Sequence, residues 1–93
     1  MSEITVTPMD ERHFGVELRE GDQTTTHKVA VPPEMVDDLG LGDVEPDVLV
    51  RESMAFLLER EPATSILPEF ALSDISRFFD DYYDELTRRV GAA

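Results

Sequence analysis

The sequence contains no cysteine and no tryptophan, and Lys28 is its single lysine. Without cysteine, the chain can form neither disulfides nor thiolate metal sites, and it has no cysteine nucleophile. The longest apolar run, residues 54–58, is far shorter than the roughly 20 residues that a membrane-spanning helix needs. Residues 1–10 lack the basic start and apolar run of a signal peptide. We therefore expect a cytoplasmic protein with no membrane partner.

Cations are scarce beside a large excess of carboxylates. The chain has 21 Asp and Glu residues against 8 Lys and Arg residues, for a net charge of -13. Such a surface repels nucleic-acid phosphates and favours cationic partners or a salty interior. We therefore expect no nucleic-acid partner and consider a basic protein partner. The scarcity of lysine resembles haloarchaeal proteins and predicts halophilic adaptation, although high-GC bacteria also replace lysine with arginine.

The first third of the sequence has apolar side chains at every second position, as strands do. Residues 13–19 and 24–31 are expected to form a hairpin with Gly21 in the first central position of a two-residue type II′ turn. This turn predicts three cross-strand pairs: Phe14 with Val29, Val16 with His27, and Leu18 with Thr25. The apolar side chains of both strands then share one face, and His13 and His27 lie on opposite faces.

Ile4 and Val6 predict a further strand before the hairpin. With residues 9–11 as a loop, Val6 would pair with Phe14 and Ile4 with Val16. Residues 1–31 are thus expected to form a three-stranded antiparallel meander with one dry face. That face would comprise Phe14, Val16, Leu18, Val29 and Val31.

From residue 32 onward the apolar spacing becomes helical. Pro33 and Gly40 mark the start and end of a short first helix. Pro46 would open a second helix that continues to about residue 60, and Pro62 must end it.

A third helix is expected to be capped by Ser73. Its apolar and aromatic residues are expected in the core: Ile75, Phe78, Phe79, Tyr82, Tyr83, Leu86 and Val90. The alternative for the four aromatic residues is that they line a pocket. The irregular residues 63–72 would be anchored in the core by Ile66, Leu67 and Phe70.

These elements predict an α+β protein of order β-β-β-α-α-α. Residues 1–93 would form a single domain, with a β-meander in residues 1–31 and a helical part in residues 32–93. The three helices would pack on one face of the sheet.

The second predicted helix carries an apolar arc that is too wide to be covered by one neighbour. In so small a chain, this arc predicts a homodimer. The candidate protein interface consists of Leu49, Val50, Met54, Phe56 and Leu57.

No motif indicates catalysis, a cofactor or a metal ion. His13 and His27 cannot share one ion across the sheet, and the acidic residues 80–85 spread around a helix rather than along a calcium-binding loop. The sequence has no G-x-S-x-G motif, and residues 40–43 follow a helix, the wrong context for a phosphate-binding loop. We therefore expect no enzyme, although catalysis by a histidine and carboxylates stays an alternative.

Residues 27–39 (HKVAVPPEMVDDL) and 49–60 (LVRESMAFLLER) resemble the strand and two helices of ribbon-helix-helix regulators. With a small sheet before them, their layout is similar to that of HicB-type antitoxins. The resemblance implies a transcriptional regulator or antitoxin in which outward strand residues read the major groove, here Thr26, Lys28 and Ala30. Residues 51–70 also resemble small actinobacterial and archaeal proteins, and this second resemblance gives no indication of an activity.

The function that the sequence favours is that of a small, acidic, non-enzymatic protein that acts through protein contacts. A ribbon-helix-helix regulator or antitoxin is the alternative.

Overall fold

The structure, a computed structural model, describes residues 2–91, and Met1, Ala92 and Ala93 lie outside the described part. The strands are β1 (Ser2–Pro8), β2 (His13–Glu20), β3 (Gln23–Ala30) and β4 (Glu69–Ala71). The helices are α1 (Pro33–Leu39), α2 (Pro46–Leu58), α3 (Leu72–Ile75) and α4 (Tyr82–Gly91), with a 3₁₀ turn at Ala63–Ser65. The α+β class is as expected, but the described residues contain one strand and one helix more than predicted.

The strands form one mixed sheet of order β1-β2-β3-β4. The first three strands are antiparallel, and β4 runs parallel to β3 at the sheet edge. One face is buried against the helices, whereas the alternate residues of β2 and β3 face outward. Strand β4 escaped prediction because a three-residue strand with one buried residue, Phe70, is too short to show alternation.

The β2–β3 hairpin has the predicted register. Its turn is at Gly21 and Asp22, and the three predicted cross-strand pairs are all present. Gly21 has a φ of 59°, whereas no residue other than glycine has a positive φ in the described part of the chain. This combination fits a type II′ turn, because a type I′ turn needs positive φ at both central residues.

The predicted register of β1 was wrong by two residues. Val6 pairs with Val16 and Ile4 with Leu18, so the connecting loop is longer than the three residues expected. The Asp10 side chain shapes this loop, because its Oδ1 accepts hydrogen bonds from the backbone N–H groups of Arg12 (2.8 Å) and His13 (2.9 Å). An even shift preserves the face of every side chain, so Ile4 and Val6 still face the core.

The first two helices follow their predicted boundaries closely. Pro33 opens α1, and Gly40 ends it in the left-handed conformation, with a φ of 68°. Pro46 opens α2, which ends at Leu58, about two residues before the predicted end. Helix α2 packs against both β1 and α4.

The single C-terminal helix predicted from Ser73 is instead two helices. Residue 71 precedes α3, and its N–H donates to the Asp74 carboxylate at 3.0 Å, so Ser73 is not the cap. Between α3 and α4, residues 77, 78 and 82 donate backbone hydrogen bonds to carbonyls three positions back. Such tight turns bend the chain while Ile75, Tyr82 and Leu86 stay buried. Because the apolar spacing is the same with or without the bend, periodicity could not reveal the break.

A buried hydrogen-bonded pair joins α2 to α4. The Ser53 hydroxyl donates to the Leu49 carbonyl at 2.7 Å and accepts from the Tyr82 hydroxyl at 2.7 Å. Burial raises the pKa of Tyr82 above its ordinary value, and the hydrogen bond to Ser53 opposes this only in part. The pair therefore satisfies two polar groups that the core would otherwise leave unpaired.

The dry face of the hairpin generates the first prediction. Replacing Val16, which is 2% exposed, with aspartate should unfold the protein, because an unpaired buried carboxylate costs several kcal/mol against a total stability of about 5–15 kcal/mol. Thr24→Asp is the matched control, since Thr24 is exposed and lies opposite Arg19. Thermal melting checks both variants. Melting of Val16→Asp at the wild-type temperature would contradict the assigned face.

Candidate functional site

A cleft of about 270 Å³ lies between the 3₁₀ turn, β4 and α3, and we call it the apolar cleft. Its lining includes the buried side chains of Leu57, Ile66, Phe70 and Ile75. Leu67 and Phe78 also line it but are 53% and 70% exposed to solvent. The cleft therefore has an apolar floor and an exposed apolar rim.

Exposed apolar side chains are concentrated at this cleft. In residues 2–91, four large hydrophobic side chains are exposed: Met9, Val48, Leu67 and Phe78. Two of the four line the apolar cleft. A concave apolar surface with exposed apolar groups at its rim is typical of a binding site, because burial of those groups would favour association.

The wall of the apolar cleft is attached to the sheet by His27. Its Nδ1 lies 2.6 Å from the Leu67 carbonyl oxygen, which can only accept, so Nδ1 carries a proton and donates. Its Nε2 lies 2.8 Å from the Thr25 hydroxyl. The next carbonyl, that of Pro68, accepts the backbone N–H of Lys28 at 2.8 Å. His27 is therefore a buried residue with a hydrogen-bond partner at each ring nitrogen, and it positions residues 67–68.

The charged groups that line the apolar cleft are carboxylates. Glu61 follows the end of α2, and its backbone N–H donates to the Leu57 carbonyl at 2.9 Å. Asp74 lies in the first turn of α3, where it accepts the Ala71 N–H. Lysine, arginine and histidine are absent from the described lining of this cleft. Because both ionisable groups of the described lining are acidic, the cleft suits a cationic ligand.

A second, polar cleft of about 340 Å³ lies on the other side of β4. It is lined by His13, Lys28, Ala30 and Glu69, and it shares Phe70 and Asp74 with the apolar cleft. His13 is held by Asp10, whose Oδ1 lies 2.9 Å from its Nδ1. The pKa of Asp10 is lowered, first by the backbone hydrogen bond from Arg12 and then by the hydrogen bond with His13. The lining mixes both charges and includes no hydroxyl or thiol nucleophile among the described residues.

The two histidines do not converge on one site. His13 pairs with Ala30 and faces outward, whereas His27 pairs with Val16 on the buried face. Within residues 2–91, no three His, Asp or Glu side chains are grouped so that they could hold a metal ion. The same described residues contain no helix with the length and apolar character to cross a membrane.

The candidate DNA-reading residues lie on the outer face of β3. Thr26 and Lys28 are exposed and Ala30 is half-buried. Strand β3 is already paired with β2 on one side and with β4 on the other, whereas ribbon-helix-helix proteins pair this strand across a dimer. Acidic Glu17 lies opposite Thr26. Its carboxylate would repel nucleic-acid phosphates and so weaken electrostatic binding at this surface.

The candidate interface residues lie in the core of one chain. All five are at most 4% exposed: Leu49, Val50, Met54, Phe56 and Leu57. The apolar arc of α2 is wide because the helix packs against both the sheet and α4, so this arc cannot serve as an exposed dimer surface. Of the five, Leu57 alone lines the apolar cleft.

Sequence reasoning favoured the core for Leu67 and Phe78, with a pocket lining as the alternative for Phe78, whereas both residues lie at the rim of the cleft. Adjacency to Phe79 did not identify Phe78 as exposed, because the adjacent residues Phe56 and Leu57 of α2 are both buried. No local signal identifies Leu67 either, because its exposure depends on the path of an irregular segment.

The His27 attachment generates the second prediction. His27→Leu should speed amide exchange in residues 63–70, because the loss leaves the Leu67 carbonyl without its donor, at a cost of about 1–3 kcal/mol. Thr25→Val is the matched control, since it removes the other ring hydrogen bond but leaves the one to Leu67. Hydrogen exchange followed by NMR checks both. Unchanged exchange in residues 63–70 of His27→Leu would show that the wall is held by other contacts.

Comparisons with protein-family models, curated proteins and solved structures found no match to this chain. The functional interpretation therefore depends on the geometry and chemistry of the two clefts. Of these, the apolar cleft has the clearer binding character, because two of its apolar side chains, Leu67 and Phe78, are exposed at the rim.

Proposed function

We propose that this chain is a small cytoplasmic, non-enzymatic protein that acts through protein–protein contacts, with the apolar cleft as its contact surface. The observation that carries the proposal is the exposure of Leu67 and Phe78 at the rim of an apolar depression. Aromatic side chains in such positions act as anchors at protein interfaces, because they bury a large apolar area at low entropic cost.

Two alternatives, a homodimer formed through α2 and a ribbon-helix-helix regulator, have less support. The homodimer expected from α2 stays a prediction, but its proposed surface is buried, and two copies of net charge -13 repel one another. A ribbon-helix-helix regulator needs a strand that is free to pair across a dimer, and β3 has partners on both sides. A basic protein partner fits both the charge and the exposed apolar rim.

The third prediction tests the contact surface. Purified protein on a resin should retain one or more partners from a lysate of the source cells, and Phe78→Ser should lose them, because the main rim anchor is removed. Met9→Ser is the matched control, since Met9 is also exposed and apolar but lies outside the apolar cleft. Quantitative mass spectrometry measures retention. Equal retention by wild type and Phe78→Ser would place the contact surface elsewhere.

The charge of the chain supports adaptation to high salt as part of the proposal. Several arginines are already paired: Arg60 with Asp81 at 2.6 Å, Arg88 with Glu85 at 2.7 Å, and Arg89 with Glu59 at 2.8 Å. Exposed pairs of this kind contribute about 0–1 kcal/mol each. The remaining carboxylates outnumber the cations, so repulsion should dominate the salt dependence of folding.

The fourth prediction follows from this balance. The melting temperature should rise between about 0.05 and 2 M sodium chloride, because the screening length falls to about 3 Å at 1 M and repulsion among carboxylates fades. Sodium sulfate at matched ionic strength separates screening from salt exclusion, which strengthens apolar burial. A melting temperature that is flat across this range would defeat the halophile interpretation.

A further inference from the structure

We propose that the apolar cleft binds a cationic segment of a partner polypeptide, which inserts one bulky apolar side chain flanked by lysine or arginine. This inference rests on the proposed function and specifies the chemistry of the partner. It follows from three features of the cleft: its size, the sign of its charges, and the length and hydrogen bonding of the neighbouring strand edge, β4.

The size of the cleft suits a side chain. At about 270 Å³, it is smaller than the roughly 300–1,000 Å³ of sites that hold drug-sized molecules. The floor of Leu57, Ile66 and Ile75 offers apolar contact on several sides of an inserted group. Phe78 at the rim is free to pack over that group, because 70% of its surface is exposed.

The charges select a cationic partner. The ionisable groups of the described lining are Glu61 and Asp74, and the chain around them has a net charge of -13. A second copy of this chain, a nucleic acid or an anionic membrane would each bring further negative charge to the rim. Lysine or arginine beside the inserted side chain would instead meet the carboxylates of Glu61 and Asp74, which line the cleft.

The edge of β4 argues for side-chain insertion rather than strand addition. Strand addition needs a row of free backbone N–H and C=O groups. Strand β4 has three residues, and the N–H of Ala71 already donates to Asp74. The edge is therefore too short and partly occupied, so affinity must come from the inserted side chain and the flanking charges.

The test uses three acetylated and amidated six-residue peptides, titrated to about 1 mM into the ¹⁵N-labelled full chain. The first has Phe-Leu at its centre and two lysines at each end, the second replaces the lysines with glutamates, and the third replaces Phe-Leu with Ser-Gly. We expect the first peptide alone to shift the backbone amides of residues 65–67 and 75–79. Saturable shifts at millimolar peptide correspond to weak but specific binding.

Charge variants make the test sharper. Glu61→Gln should weaken the affinity for the lysine peptide by about two- to fivefold, which is the range expected for loss of a partly exposed charge pair. Glu34→Gln is the matched control, because Glu34 is exposed on α1 and outside the cleft lining. Phe78→Ser should weaken binding without unfolding the chain, since Phe78 is largely exposed, and the dispersion of its NMR spectrum verifies the fold.

The contrary outcomes separate this inference from the proposed function. Equal binding of the lysine and glutamate peptides in the cleft would overturn the cationic partner but keep the contact surface. Cleft shifts that appear when the protein alone is concentrated would identify a second copy as the occupant and overturn the inference. Absence of cleft shifts with all three peptides would also overturn it. The proposed contact surface is overturned separately, by retention of the same partners by wild type and Phe78→Ser.

Discussion

The structure depends on the burial of one face of the β2–β3 hairpin. The two-residue turn at Gly21 fixes the pairing of Val16 with His27, and this register sends every apolar side chain of the hairpin to the same side. The helices then have one surface to cover, and α2 contacts β1 and α4 at the edge of that surface. A register shifted by a single residue would expose Phe14 and Leu18 and remove them from the core cluster that they share with the buried residues of α2.

The same register builds the apolar cleft. It places a polar side chain, that of His27, on the dry face, where burial requires hydrogen-bond partners. One partner is the Leu67 carbonyl, from a segment about forty positions along the chain. This bond and the one from Lys28 to Pro68 bring β4 to the sheet edge, and β4 in turn positions Phe70 in the floor of the cleft.

Charge and packing act on different parts of this molecule. The core is apolar apart from satisfied groups such as His27 and Ser53, so the carboxylates lie at or near the surface. Arginines gather at the α2–α4 contact, where the Arg60 guanidinium lies 3.7 Å above the centre of the Phe56 ring and also pairs with Asp81. The Arg60 guanidinium is thus engaged at this contact, whereas the ionisable groups of the described cleft lining are Glu61 and Asp74.

The sequence by itself determined the elements whose signals are local. Alternation and a Gly21 turn defined the hairpin, and Pro33, Gly40 and Pro46 marked the ends of α1 and α2. Local signals could not resolve the register of β1, which depends on how Asp10 folds its loop, nor the break between α3 and α4, which preserves apolar spacing. The cleft was decided only by the tertiary structure, because its parts are distant in sequence and the exposure of Phe78 and Leu67 depends on what packs beside them.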